Sequence, residues 1–156
     1  MSVKKIKQYG ADVLRKKSLP VENITGKTIK IIENLEDTLK ESKGVGLAAP
    51  QIGVLQRVFI AIDPDTKKVI KIINPQIIES EDSEIDIEGC LSFPSIYFSI
   101  KRPKKIVIKG LSPKGKEIIV PVKGLLARCF AHECDHLDGV LIIDYASKEE
   151  KKHYSL

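Results

Sequence analysis

LLARCFAHECDHLDG, residues 125–139, decides how the rest of the chain is read. Its apolar spacing and closing Gly139 predict a helix over Leu125–Asp138. Short β-rich runs precede it at Arg57–Ile62, Val69–Ile73, Ile96–Ile100, Lys104–Lys109 and Lys116–Val122. Leu111-Ser-Pro-Lys-Gly115 separates the last two runs as a hairpin turn. An earlier amphipathic helix is predicted over residues 26–43, where Ile31, Ile32, Leu35 and Leu39 recur at helical spacing and Gly44 suits the stop. Ser147 with Glu150 suits a capping box that opens a short helix near the C-terminus. One helix, several strands and then a helix is an α+β order, distinct from alternating βαβ units.

Within the deciding stretch, His132-Glu133-Cys134-Asp135-His136 has the form H-E-x-x-H. Four helical residues advance about 400°, so the two rings stand one turn apart and about 40° off a common line. Both imidazoles can then reach one cation at about 2.0–2.1 Å. Glu133 lies about 100° from His132, beside that face, where a general base of a metallohydrolase stands. The competing reading is a surface helix with two histidines. The chain has only 3 histidines, however, and the motif holds two of them.

A catalytic site of this kind needs a third protein ligand. The longer pattern H-E-x-x-H-x-x-G-x-x-H is met at Gly139 and fails at Ile142. Downstream, Glu149, Glu150 and His153 lie close to the last residue, so the ligand is sought upstream among the thiols. Cys134 is about 200° around the helix from His132 and reads as core. Cys129 is on the near side but on the same helix, and reads as lining the site. Cys90, in Glu88-Gly89-Cys90-Leu91-Ser92, comes from a separate segment. Gly89 permits close backbone approach there, and Leu91 offers a backbone N–H.

Gly44-Val-Gly46-Leu-Ala-Ala49 matches the dinucleotide pattern G-x-G-x-x-A, but it follows a helix, and Pro50 breaks the helix that pattern needs. Two readings remain open for this loop. It lays backbone against a substrate with the Gln51 amide as an oxyanion donor, or it is a buried turn.

At roughly 150 residues per domain, the 156 residues make a single domain, 1–156. Hydrophobic residues at 42% and charged residues at 30% exclude a disordered chain. Aromatics at 5% with no Trp call for an aliphatic core. The net charge of +5 is scattered among acidic residues and favours solubility over a nucleic-acid footprint. No apolar run approaches the roughly 18 residues of a membrane span, and the first residues lack a secretory apolar region. Three cysteines, an odd number, suit a reducing, cytoplasmic compartment and not a disulfide frame.

GVGLAAPQ (44–51), EGCLS (88–92) and HECDH (132–136), in this order and spacing, resemble the three signature motifs of the peptide deformylase family. The resemblance extends through ADVLRKKSLPV and GLLARCFAHECDHLDGVLIIDY to nearly the whole chain. It implies antiparallel sheets around a central metal-binding helix. It implies hydrolysis of the N-formyl group from the initiator methionine of nascent polypeptides, releasing formate, by attack of a metal-bound water. Carried over, Cys90, His132 and His136 are the ligands, Glu133 is the general acid/base, and Gln51 with the Leu91 N–H receives the formyl oxygen. The implied native ion is Fe²⁺, with Ni²⁺, Co²⁺ or Zn²⁺ able to replace it.

The substrate-binding set expected beside these groups is Val45, Gly46, Glu88, Gly89, Leu125 and Cys129. The peptide is expected along a strand edge near Gly44–Gly46, with Val45, Leu125 and Cys129 lining the methionine pocket and Arg128 at its rim. Asp135 is a candidate to brace a ligand histidine, and the resemblance suggests a buried Glu88–Arg102 pair. Ala131 stands where relatives often have Gln. Relatives also commonly carry a long basic C-terminal helix implicated in ribosome docking, whereas SKEEKKHYSL alone follows Ala146 here. Docking by that route is not expected, and the charge favours only weak association with ribosomal RNA. The rival readings are an amidase open to larger acyl groups and a non-catalytic metal or RNA-binding module.

Overall fold

The structure is a computed structural model and describes residues 2–156. It is α+β, with antiparallel sheets as the resemblance implies. Helix α1 (Gly26–Ser42) follows a short 3₁₀ turn at Asp12–Arg15 and presents Ile32, Leu35 and Leu39 to the core. It ends one residue earlier than Gly44 suggests, at Lys43 in a left-handed conformation with φ 59°. Gly44 has a different task. A Cβ on it would stand 2.7 Å from the Leu91 side chain, so its bareness lets that side chain in.

Five strands form one sheet: β1 (Gly46–Ala48), β2 (Val58–Ile62), β3 (Val69–Glu81), β6 (Lys105–Leu111) and β7 (Glu117–Lys123), in the order β1-β2-β3-β6-β7. β4 (Glu84–Cys90) and β5 (Phe93–Arg102) pair only with each other. All pairings are antiparallel. The Ser112–Gly115 turn between β6 and β7 is closed by the Ser112 N–H to Lys116 O bond of 2.8 Å, with Gly115 at φ 82°.

Three expectations need correction. β3 continues eight residues past Ile73, because Asn74 takes φ 53° and the strand passes Pro75 through a bulge instead of stopping. β4 went unread because its Ile85 and Ile87 alternate with acids on an exposed hairpin and bury nothing. The stretch read as a loop at 44–51 contains β1 and a 3₁₀ turn, Ala49–Ile52.

Helix α2 (Gly124–Leu137) packs on β1, β2 and β7, and Phe130 meets Phe59 edge-on at 5.3 Å. The core is mainly aliphatic, with all four phenylalanines buried in it. α1 closes the β1–β2 end. Leu141–Ile143 and Leu14 cover β5, and α3 (Lys148–His153) starts at the Ser147–Glu150 capping box. No helix among the described residues is long and apolar enough to cross a membrane. The arrangement leaves α2 between the five-stranded sheet and the separate β4–β5 hairpin.

Candidate metal centre and active site

α2 carries His132 and His136 with their Nε2 atoms 3.2 Å apart. Cys90, at the end of β4, brings its Sγ to 3.3 Å from His136 Nε2. All three donor atoms lie within 4.8 Å of one another. Two nitrogens bound at about 2.1 Å to one tetrahedral ion stand about 3.4 Å apart. The donor set therefore fits a divalent ion both in spacing and in its mix of one thiolate and two imidazoles. The remaining thiols stand apart from the group: Cys134 packs against the core, and Cys129 Sγ lies 4.0 Å from Glu133 Oε2.

The ring of His132 is oriented from behind. Its Nδ1–H donates to Glu88 Oε2 at 2.7 Å, which leaves Nε2 as a lone-pair donor to the site. Asp135 does not perform this service. It accepts instead from Arg102 Nη1 and from the Tyr145 hydroxyl, each at 2.6 Å. The Glu88–Arg102 pair is present and buried, with bonds of 3.0 and 2.7 Å. Arg128 is no rim residue. One helical turn before His132 on nearly the same face, it is 7% exposed and donates to Glu88 Oε1 at 3.1 Å, Ile100 O at 2.9 Å and Glu84 O at 3.0 Å. The rim reading missed that the β4–β5 hairpin closes over this part of α2.

Burial disfavours charge on Glu88, yet the His132 and Arg102 bonds outweigh it and hold the carboxyl at about 2. Burial pushes the Glu133 carboxyl the other way, up to about 7, where it can both accept and return a proton near neutrality. Burial also lowers His136, helped by the charges of His132 and Arg102. Glu133 Oε1 and His136 Nδ1 are buried without a hydrogen-bond partner, a cost usually found where function requires it.

Gln51 comes from the 3₁₀ turn after β1 and is 1% exposed. The Ala48 N–H meets its Oε1 at 3.0 Å, and a backbone N–H can only donate, so the NH₂ faces the other way. That NH₂ reaches Ser92 Oγ at 3.1 Å and Cys90 Sγ at 3.7 Å. Gly46 is bare for a reason: a Cβ there would stand 2.6 Å from both Cys129 Sγ and Glu133 Oε2. Gly89 lies under the Tyr97 ring, which a Cβ would meet at 2.7 Å.

These groups share a cleft of about 700 Å³. Val45, Gly46, Gln51, Leu91, Leu125, Cys129 and Glu133 all line it. Glu88 is also at its wall, although both of its oxygens are engaged behind the site. Val45 and Leu125 are half exposed, at the mouth. A second concavity of about 750 Å³, between the β2–β3 turn and the start of α2, contains no histidine or cysteine. Sequence reasoning missed Ser92, Tyr97 and Tyr145. Only Ser92 carried a signal, as the last residue of EGCLS.

The polypeptide deformylase family model matches residues 3–152. The chain belongs to this family. The peptide deformylase of Carboxydothermus hydrogenoformans is 45% identical over 97% of this chain and 99% of its own length. That of Halothermothrix orenii is 45% identical over 92% and 94%. Among solved structures, the Legionella pneumophila peptide deformylase superposes with a TM-score of 0.93 at 37% identity, covering 98% of this chain and 91% of that one. The Thermotoga maritima enzyme gives 0.88 at 41% identity, over 93% and 98%. Deformylases remove the N-formyl group from nascent peptides, and membership makes this chain a hydrolase of that kind.

Cobalt loading distinguishes the thiols. Wild-type and Cys134→Ala proteins should show thiolate-to-cobalt charge-transfer absorption, and Cys90→Ala should lack it and retain little metal. Glu88 supplies an acid-stability signature as well. Its folded value lies below the ordinary 4.5, so its stabilisation is complete above pH 4.5 and is lost as pH falls towards 2. That gap is worth about 3 kcal/mol at most. Urea denaturation of metal-free protein should lose stability across this range, and Glu88→Gln should flatten that part of the curve.

Proposed function

We propose that residues 1–156 act as one catalytic domain that hydrolyses the N-formyl group of formylmethionyl nascent peptides in the cytoplasm. In this reading Cys90, His132 and His136 hold Fe²⁺, and Glu133 is the general acid/base. The observation that carries it is the convergence of one thiol and two imidazoles on a point flanked by the buried Glu133 carboxyl and the anchored Gln51 amide.

A divalent ion bound there supplies Lewis acidity, which acidifies water and polarises a carbonyl oxygen. Glu133 takes the proton from the attacking water. Its raised affinity for that proton lets it hold the proton and then deliver it to the leaving amine. As charge grows on the formyl oxygen, the Gln51 Nε2–H and the Leu91 N–H donate to it. Because the Ala48 N–H fixes the other end of the Gln51 amide and Ser92 Oγ takes one of its hydrogens, the second N–H is left to turn from Cys90 Sγ to the oxygen with the amide plane held.

β1 is an edge strand of its sheet, with no strand paired on the side away from β2. A peptide laid along it pairs through backbone groups, which suits substrates that share only their first residue. Leu125, Cys129 and Val45 supply apolar surface for the methionine side chain. Contact with ribosomal RNA through the scattered +5 charge is weak.

Formate release from formyl-Met-Ala-Ser is the direct test, with the acetylated peptide as control. Wild-type protein should act on the formyl peptide alone. Glu133→Ala should keep its metal and lose turnover, and Gln51→Ala should lose roughly 10²–10³ in kcat. Comparable release of acetate would establish a broader amidase instead. The ion is tested separately. Protein purified without oxygen should contain about one iron per chain, and activity and iron should fall together in air, since thiolate and ferrous ion are both oxidisable. Full activity retained in air with zinc alone bound would exclude iron as the working ion.

A further inference from the structure

Residues 2–9 have no part in the chemistry above, yet their bonds lead to it. At one end, the Ser2 N–H donates to Asn34 Oδ1 at 2.9 Å and the Lys4 N–H to Thr38 Oγ1 at 2.8 Å. Asn34 and Thr38 are polar residues on the buried side of α1, 8% and 2% exposed, and this segment's backbone is what they bond. At the other end, the Lys7 N–H donates to Gln51 O at 2.7 Å and the Tyr9 N–H to Ser92 O at 2.9 Å. Gln8 Nε2 donates to Leu91 O at 3.3 Å, and the Tyr9 ring stacks on Phe93 at 4.8 Å.

The two segments held this way carry the two groups assigned to the formyl oxygen. Gln51 follows β1 in the five-stranded sheet, and Leu91 sits in the turn of the β4–β5 hairpin. No strand ladder joins these sheets, so regular pairing does not fix the distance between the two donors. Residues 7–9 bond to the main chain of both segments, from the side where α1 anchors residues 2–4.

We infer that residues 2–9 are a strap that sets the Gln51 amide and the Leu91 N–H in register with each other, with Gln8 as its positioning side chain. The inference rests on the hydrolytic reading above. The strap touches no substrate. It acts through the placement of two donors that bind most strongly in the transition state, where an error of about 1 Å can cost as much as 10² in rate. Its loss should therefore appear in kcat and not in KM.

The test uses two variants on metal-replete, full-length protein. Gln8→Ala removes the contact to Leu91. Asn34→Leu combined with Thr38→Val releases the far anchor on α1 with little change in volume. Formate release, KM, Tm and metal content are measured for each. Both variants should bind metal as wild type does and lose about tenfold in kcat, with KM changing less than about threefold. In a Gln51→Ala background the Gln8→Ala loss should shrink, because a misaligned pair matters less once one member is gone. A lowered Tm with kcat unchanged at the assay temperature, or fully additive losses, would overturn the inference and leave the strap a structural support. Wild-type protein that releases no formate would defeat the hydrolytic reading itself, and that arm separates the two failures.

Discussion

The carboxylate of Glu88 receives Arg102 through two N–H groups, Arg128 through one and His132 through one, at 2.7–3.1 Å. Three elements meet at it: β4 supplies the carboxylate, β5 supplies Arg102, and α2 supplies Arg128 and His132. A buried charge of this kind persists only with its hydrogen bonds complete, and removing one partner leaves the rest uncompensated. The arrangement is consequential because the β4–β5 hairpin has no ladder to the main sheet. Its attachment to α2, and so the position of Cys90 relative to the two histidines, depends on this carboxylate together with apolar packing under β5.

The consequences run outward in two directions. Towards the cleft, the bond to His132 Nδ1 selects the tautomer that leaves Nε2 free for the ion. Away from it, Arg102 passes to Asp135 and lies over the Tyr145 ring at 4.8 Å, so the segment after α2 is tied into the same network. The network neutralises the Glu88 charge, whereas Glu133, next to His132 in the chain, is left with an oxygen unpartnered. Two carboxyls at the wall of one cleft are thus driven in opposite directions: hydrogen-bonded cationic partners take Glu88 down to about 2, and burial takes Glu133 up to about 7. The first is a support and the second can move a proton.

Much of this was legible in the residues, and the part that was not has a physical reason. The H-E-x-x-H spacing is a statement about one helix, and helical geometry carries it without tertiary information. α2, β2, β6 and β7 followed from local periodicity for the same reason. Cys90 required the elimination of two other thiols: a helix angle set Cys134 apart, and Cys129 was set aside because it shares the helix of both histidines. β4 was illegible because its alternating isoleucines face solvent, so the pattern that marks a half-buried strand marks nothing there. The continuation of β3 beyond Ile73 went unread because a bulge cannot be seen without the partner strand. Arg128 failed for a related reason: its side chain is buried by a hairpin distant in sequence, and only long-range packing reveals that.

The separation of the two sheets also means that an ion bound by all three donors would be coupled to the fold. Two ligands belong to α2, which is packed on the main sheet, and the third belongs to the hairpin. Whatever binds all three bridges a junction that no backbone ladder crosses. Binding free energy at such a site is also folding free energy for the junction, since the unfolded chain offers no equivalent set of donors. The junction is therefore held from behind by Glu88 and from one side by the strap on Gln51 and Leu91, and an ion between the three donors would tie it at its centre. Each acts on a different axis of the hairpin's placement. A site that needs its donors set to within a fraction of an ångström is here built across a junction that no strand ladder spans, and the buried charge of Glu88 binds its two sides together.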